Sequence, residues 1–538
     1  QNPDPKIVEV TLVAIPAVWE FRPGVPTLVW SLNGTIPGPT IEANVGDELI
    51  VHFTNLIDTP GGIHWHGVEV PATMDGSHAS NAAIPLGGSF EYRFRVNRAS
   101  LFWYHPHHDS AEQVERGLYG ALLVHDPPEV AAALPANERI VVLDDVVIDA
   151  DGQFETFEVA DPVGRATYQA NGREGSLPIV NGRAGRTLPV ENGVPLRLRV
   201  VNTANTRFMR LNVPGHELHL IGTDGGLLEA PQTRAEIGEV EDPDPSHCGQ
   251  RVSDNDASHG VLATPGERVD VVLTPAGESG ALLPVEWHDW GRGRHFYYKQ
   301  ADGEIALFHV HGAYPSLPPE KLFDLQLTGD PQASDYTLPN PLGDLTPLDT
   351  TNAQVLKLTM GHGNPNADGD ISFWMQEKDG TPLPFPLVGS ADANQATVGQ
   401  TAIWEVKNTA HGDHNFHTHG FMFQPLSIEY VSCDPSLNRI ETFDAVEEKD
   451  TIRIPGPPMP ACTGTCGGPT ECPICAPGTA YTILRAAVRF DDAGREHDIE
   501  AYGKFPQPDR SGGWMIHCHL LEHAESGMMT YFELRKPN

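Results

Sequence analysis

Three separated stretches of the chain share one pattern of apolar and polar positions. They are Gly46-Asp-Glu-Leu49-Ile-Val51-His-Phe53-Thr-Asn55, Gly193-Val-Pro-Leu196-Arg-Leu198-Arg-Val200-Val-Asn202 and Gly399-Gln-Thr-Ala402-Ile-Trp404-Glu-Val406-Lys-Asn408. Each opens on a turn glycine, carries apolar or small side chains at the same three intermediate positions, and ends in Asn nine residues after the glycine. Alternation after a turn residue predicts a strand with one buried face. Three copies predict three related β-domains. Other short alternating segments recur between turn signals, and Gly 53 and Pro 48 in 538 residues suit all-β sandwiches or barrels. Boundaries are expected near Pro127-Pro128 and within the Pro-rich, weakly periodic stretch Pro315–Pro347. This divides the chain into 1–128, 129–314, a connection over 315–349, and 350–538. Residues 431–480 read as a long irregular excursion inside the last unit, of the kind that edges a substrate pocket.

Downstream of the repeat the copies differ. His64 and His66 lie nine and eleven residues after Asn55, and His417 and His419 lie nine and eleven after Asn408. The matching positions after Asn202 are Leu211 and Val213. Units one and three therefore carry equivalent ligand pairs, and the middle unit acts as a spacer and substrate wall. Two half-sites on equivalent strands close around one cluster if units one and three pack face to face. A third pair is His105-Pro-His107, and each His-x-His puts both imidazoles on one face of a strand.

The segment Trp514-Met-Ile-His517-Cys518-His519-Leu-Leu-Glu-His523-Ala-Glu-Ser-Gly-Met528 carries the most chemistry. On a strand, His517 and His519 project to one side and Cys518 to the other. His414 has the wrong parity to join His417 and His419, so it points to the Cys518 face. Eight imidazoles then lie on one side, and His414, Cys518, His523 and Met528 on the other. A thiolate, two imidazoles and a weak thioether are the ligands of a blue electron-transfer copper. Eight imidazoles suit three further coppers.

With these residues the sequence resembles the multicopper oxidases, the family of laccases, bilirubin oxidases, spore-coat laccases and copper-efflux oxidases. The resemblance covers essentially the whole chain, with all four ligand motifs in the family's order, and Asn33-Gly-Thr-Ile-Pro-Gly-Pro-Thr-Ile-Glu42 is similar to its N-terminal signature. It implies three consecutive cupredoxin-like Greek-key domains and four coppers. The lone copper is implied to take His64 and His417. The coupled pair is implied to take His66, His105, His107, His419, His517 and His519. Met528 and Met529 are adjacent, and family spacing favours Met528 as axial ligand of the blue copper. Asp75 matches an acidic residue that relatives place near the cluster. Many bacterial relatives carry Glu directly after the second blue-copper His, where this chain has Ala524. Either Glu525 supplies protons by a different path or proton delivery is altered.

The activity implied is a laccase-like one-electron oxidation of phenols or aromatic amines with dioxygen as acceptor, by a monomer acting on a small-molecule reductant. A metal-ion oxidase for ferrous, manganous or cuprous ions is the alternative. Nine Met and no Met-rich cluster argue against the cuprous route. Non-enzymatic copper sequestration would not need a Cys wedged between two His ligands. Copper nitrite reductase lacks the paired-His coupled site.

Net charge is −37, from 35 basic and 72 acidic residues, which disfavours nucleic acid and anionic membranes as partners. No apolar run is long enough to span a bilayer. The chain opens at Gln1 on polar residues, as expected of a mature secreted, periplasmic or cell-surface form whose export signal is gone. Of seven Cys, Cys518 is committed to copper, and Cys248 and Cys433 read as isolated. Cys462, Cys466, Cys472 and Cys475 crowd one loop, where an exported protein favours disulfides and a cytosolic one zinc. His309 and His311 look like a ligand pair but end the middle unit, where no partner pair exists. His216 and His219 read as structural or surface residues, and His108 as facing away from His107. Asn33-Gly-Thr35 fits both a glycosylation sequon and a tight turn.

Overall fold

The computed structural model describes residues 4–237, 259–289, 296–299, 304–308, 320–378, 381–383, 385, 394–410, 412–458, 475, 478–491 and 513–535. Among the described residues, three pairs of four- to six-stranded sheets follow one another along the chain, with two further two-stranded pairings. The three repeated stretches become the strands Glu48–Asn55, Leu196–Asn202 and Thr401–Asn408. Each lies parallel to the strand that opens its unit (Ile7–Arg22, Asn137–Val146 and Gln354–His362) and antiparallel to a later one. A parallel neighbour needs a crossover connection. The same crossover in all three units shows that they share one topology.

The terminal Asn of each repeat has a common physical reason. Asn55, Asn202 and Asn408 are buried. In each, Oδ1 accepts from the backbone N–H two residues on (Ile57, Ala204, Ala410), and Nδ2 donates to two or more carbonyls across the unit. The amide replaces ladder bonds where the strand turns away, which satisfies polar groups that burial would otherwise strand.

Strand Thr401–Asn408 alternates buried and half-buried positions as its sequence requires. Leu196–Asn202 is buried at every position. Its outward side chains Arg197 and Arg199 are covered by the first unit, where both reach Asp126, and they also pair with Asp270 and Glu138. Full burial of these cations is tolerated because each is paired and hydrogen-bonded.

Two expectations are corrected by the structure. The connection over 315–349 contains a strand, Glu320–Thr328, which pairs with Arg186–Glu191 and Leu282–Trp287 in a sheet of the middle unit. Cys433 is not isolated but forms a disulfide with Cys475. The strands that end and resume around the excursion pair with each other, Val431 opposite Tyr481, so the two Cys are brought together at its base. Cys248, Cys462, Cys466 and Cys472 lie outside the described residues. The excursion is also partly regular, with strands Arg439–Thr442 and Thr451–Ile454. Asn33 and Gly34 both have positive φ in a tight turn, and the Asn33 side chain bonds Val13 N and Thr11 O.

Candidate metal centre

Strand pairing places the candidate ligand residues. His64–His66 runs antiparallel to Ser100–His105, with His64 opposite His105. His414–Thr418 runs antiparallel to Trp514–Cys518, with His417 opposite His517 and Phe416 opposite Cys518. Paired residues share a face, so His414, two residues from Phe416, lies on the Cys518 side. The two half-sites then meet: the His64 ring stacks on His419 at 3.8 Å and His66 on His417 at 3.9 Å, first unit against third. His64, His66, His105, His107, His417, His419, His517 and His519 are all buried.

The outer ring nitrogens are tied down by acceptors. Nδ1 of His105 donates to Pro106 O at 2.7 Å, Nδ1 of His517 to Cys518 O at 2.9 Å and Nδ1 of His64 to Asp75 O at 3.0 Å. His417 Nδ1 donates to Asp450 O at 2.9 Å. A neutral imidazole carries one N–H, so the opposite nitrogen holds a lone pair. Those nitrogens, Nε2 of His64, His105 and His417, are buried without a hydrogen-bond partner, as are both ring nitrogens of His519. Nε2 of His517 lies 3.2 Å from Nε2 of His107 and 3.1 Å from Nε2 of His419. Converging lone pairs repel unless a cation sits among them, so the donor set fits a metal cluster. Burial, then the neighbouring rings, hold His105, His107, His419, His517 and His519 well below the ordinary histidine value. Neutral rings are the form that ligates.

On the opposite face, His414 Nδ1 lies 3.5 Å from Cys518 Sγ, His523 Nδ1 3.8 Å from Sγ, and the two Nδ1 atoms 3.1 Å apart. All three residues are buried. His523 is held by the short helix Leu521–Glu525. Its Nε2 donates to Ala170 O at 3.0 Å, and its ring stacks on Phe373. Met528 packs in the same core as Cys518, whereas Met529 pairs with His517 on the other face of the strand and packs with Met515 and Tyr531.

Two buried carboxylates stand behind the cluster. Asp75 accepts from His419 Nδ1 at 2.9 Å and 3.1 Å and lies 3.3 Å from His64 Nδ1. Asp450 accepts from His66 Nε2 at 3.1 Å, which leaves His66 Nδ1 free to ligate. Sequence reasoning missed Asp450. It precedes the strand Thr451–Ile454, whose Thr-Ile-Arg-Ile alternation was a legible signal within the excursion. Glu525 sits elsewhere: its Oε1 accepts from Ala111 N at 2.6 Å and Ser110 Oγ at 3.2 Å, at the start of the helix that follows His107. Glu522 is buried, accepts from Asn205 Nδ2 at 3.0 Å, and is pushed up by burial.

Five other histidines stand out in the sequence. His108 packs against His78 at 4.1 Å. His216 donates to Pro214 O and His219 is half-buried beside Thr233, while His309 and His311 lie outside the described residues. Leu211 and Val213, the counterparts of the ligand pairs, are buried in the core of the middle unit.

Multicopper oxidase family models match residues 16–129, 126–237, and 349–459 with 504–538. Laccase-2 of Cryptococcus neoformans is 33% identical over 569 residues, covering 94% of this chain and 81% of that protein. The chain belongs to the multicopper oxidase family. It is also similar to a multicopper oxidase of Mycobacterium tuberculosis, 33% identical over 248 residues, 41% of this chain and 47% of that one. Among solved structures, the Campylobacter jejuni multicopper oxidase, described as a metallo-oxidase, superposes with a TM-score of 0.71 over 100% of this chain and 93% of its own. At 21% identity this is a likeness of fold. The Pseudomonas thermotolerans enzyme gives 0.67 at 25% identity, over 98% and 99% of the two chains. The all-β architecture is that of cupredoxin-like domains, and membership implies copper, for which the buried His-rich groups are suited. No helix among the described residues is long and apolar enough to cross a membrane.

Proposed function

We propose that the chain is a laccase-like oxidase, coupling one-electron oxidation of phenols or aromatic amines to four-electron reduction of dioxygen to water. The observation that carries this reading is Cys518, a buried thiol between His517 and His519. Its sulfur faces His414 and His523 while its neighbours face the eight-imidazole cluster. Four coppers bound there, one blue, one lone and two coupled, would supply one-electron acceptance and dioxygen reduction. His414, Cys518 and His523 would hold the blue ion, with Met528 as its weak fourth ligand. His64 and His417 would hold the lone ion, and His66, His105, His107, His419, His517 and His519 would hold the pair. With copper bound, Cys518 and its own backbone would provide the covalent path from the His523 side to the flanking imidazoles His517 and His519. Asp75, against His419 and His64, is the proton donor to the cluster, and Glu525 is the second candidate.

One chain supplies both halves of the cluster, which supports a monomer. The disulfide between Cys433 and Cys475 supports a secreted, periplasmic or cell-surface location.

A specific observation favours the metal-ion alternative. His523 is only 3% exposed, and its Nε2 is capped by Ala170 O from the helix Pro162–Asn171. A bulky donor does not touch the ring edge directly, whereas a small ion needs no such contact. Oxygen uptake measured against phenols, aromatic amines, and ferrous, manganous and cuprous ions separates the readings. Uptake driven by phenols and amines supports the laccase reading, and uptake driven by metal ions alone overturns it.

A further inference from the structure

No imidazole of the cluster comes from the middle unit among the described residues, yet one of its cations sits directly behind two of them. Arg268 is 1% exposed, and all five of its guanidinium N–H groups are used. Nε donates to Leu101 O at 3.1 Å. Nη1 donates to Gly266 O at 3.0 Å and Asp450 Oδ1 at 2.7 Å. Nη2 donates to Asp224 O at 3.1 Å and to Asp450 Oδ2. Leu101 belongs to the first unit, Gly266 and Asp224 to the middle one, and Asp450 to the third. Asp224 closes the network: its Oδ1 accepts from Arg268 N at 2.8 Å, and its Oδ2 from Thr451 N at 3.1 Å.

Asp450 transmits this fixing to the cluster. Its Oδ1 accepts from His66 Nε2 and from Thr451 Oγ1, and Thr451 Oγ1 lies 2.9 Å from His417 Nδ1. Gripped by Arg268 on both oxygens, the carboxylate accepts from His66 Nε2 and so sets which nitrogen of His66 carries the proton. The turn before Arg268 makes the same approach: a Cβ on Gly266 would lie 2.9 Å from His66 Cε1 and 3.0 Å from His519 Cδ2.

We infer that Arg268 is a positioning residue through which the middle unit orients His66 and His417, so that the eight-imidazole cluster is completed only when all three units are docked. The planar fork is what the position requires. It grips the carboxylate with two bonds while three others reach carbonyls in two units, a geometry that the point charge of Lys cannot reproduce. The inference rests on the reading that these imidazoles hold copper.

The test compares wild-type protein with Arg268→Met and Arg268→Lys, all loaded with copper. Copper per chain, the blue absorption and the electron paramagnetic resonance signal of the lone copper are read from each. Wild-type protein without cluster copper would sink the functional reading and leave no site for Arg268 to orient. With wild type fully loaded, Arg268→Met is expected to keep the blue absorption and lose cluster copper, with loss or a clear shift of the lone-copper signal. Arg268→Lys is expected to shift that signal even where copper is retained. Full copper and an unshifted signal in folded Arg268→Met would overturn the inference. If that variant does not fold, an unshifted signal in Arg268→Lys overturns it equally.

Discussion

Asp75→Asn separates proton supply from metal holding. The substitution is nearly isosteric in a fully buried site. Asn keeps one oxygen for His419 Nδ1 but loses the charge and cannot carry a proton. If the carboxylate only props the ring, the change turns a charge-assisted hydrogen bond into a neutral one, a loss of about 1 kcal/mol, or roughly fivefold in rate. If it relays protons, loss of a positioned acid costs about 10²–10⁴-fold. The two roles therefore predict separable magnitudes. The account predicts a fall of more than about 100-fold in oxygen-limited turnover, measured with an oxygen electrode. Copper content and blue absorption should stay intact. Anaerobic bleaching of the blue absorption by substrate, followed by stopped flow, should remain fast, because that step needs no relay. Normal turnover in Asp75→Asn with a crippled Glu525→Gln would refute the assignment and move the relay to the Ala111 side of the molecule.

Three further outcomes are expected. Met528→Leu should leave the protein folded and blue with a raised blue-copper potential, because the weak axial donor stabilises the oxidised ion more than the reduced one. A potentiometric titration giving an unchanged or lower value would remove the axial role. Asn202→Ala strands partners of three hydrogen bonds, to Arg207 O, Ala263 O and Ala204 N. At about 0.5–1.5 kcal/mol each, the middle unit should lose roughly 2–4 kcal/mol, visible as a lower denaturant midpoint. The metal-free protein should be acid-sensitive. His66, His105, His107, His417, His419, His517 and His519 are held below their ordinary 6.5 by burial first. The unfolded chain then binds more protons below 6.5, so stability is present above that pH and lost as pH falls through it. Each such imidazole contributes a slope of about 1.4 kcal/mol per pH unit while it is neutral folded and charged unfolded. Denaturant midpoints of the metal-free form that do not fall between pH 7 and 5.5 would contradict the neutral-ring assignment.

The range of each interaction decided whether the sequence revealed it or hid it. Local alternation disclosed the repeat, and strand parity alone separated His414 and Cys518 from His417 and His517, because both are properties of neighbouring residues. The Asn that ends each repeat was visible as a pattern, but its bonds to carbonyls up to 61 residues away were not. Asp450 and Arg268 were hidden for the same reason. They are separated by 182 residues, and nothing local in Gly266-Glu-Arg268-Val-Asp-Val says that a fully buried partner waits in another unit. Strand Glu320–Thr328 was missed because surrounding prolines masked its alternation. Cys433 looked isolated because its partner lies beyond a 42-residue loop whose ends only strand pairing brings together.

The central claim is that one chain builds a blue site and an eight-imidazole cluster joined through Cys518. Metal analysis with optical absorption tests it most directly, on the wild type and on Cys518→Ser. The account predicts about four coppers per chain and an intense blue colour in the wild type. In Cys518→Ser it predicts loss of the colour and of oxidase turnover, with cluster copper retained. One copper per chain, a colourless fully loaded protein, or Cys518→Ser that still oxidises its donors would contradict it.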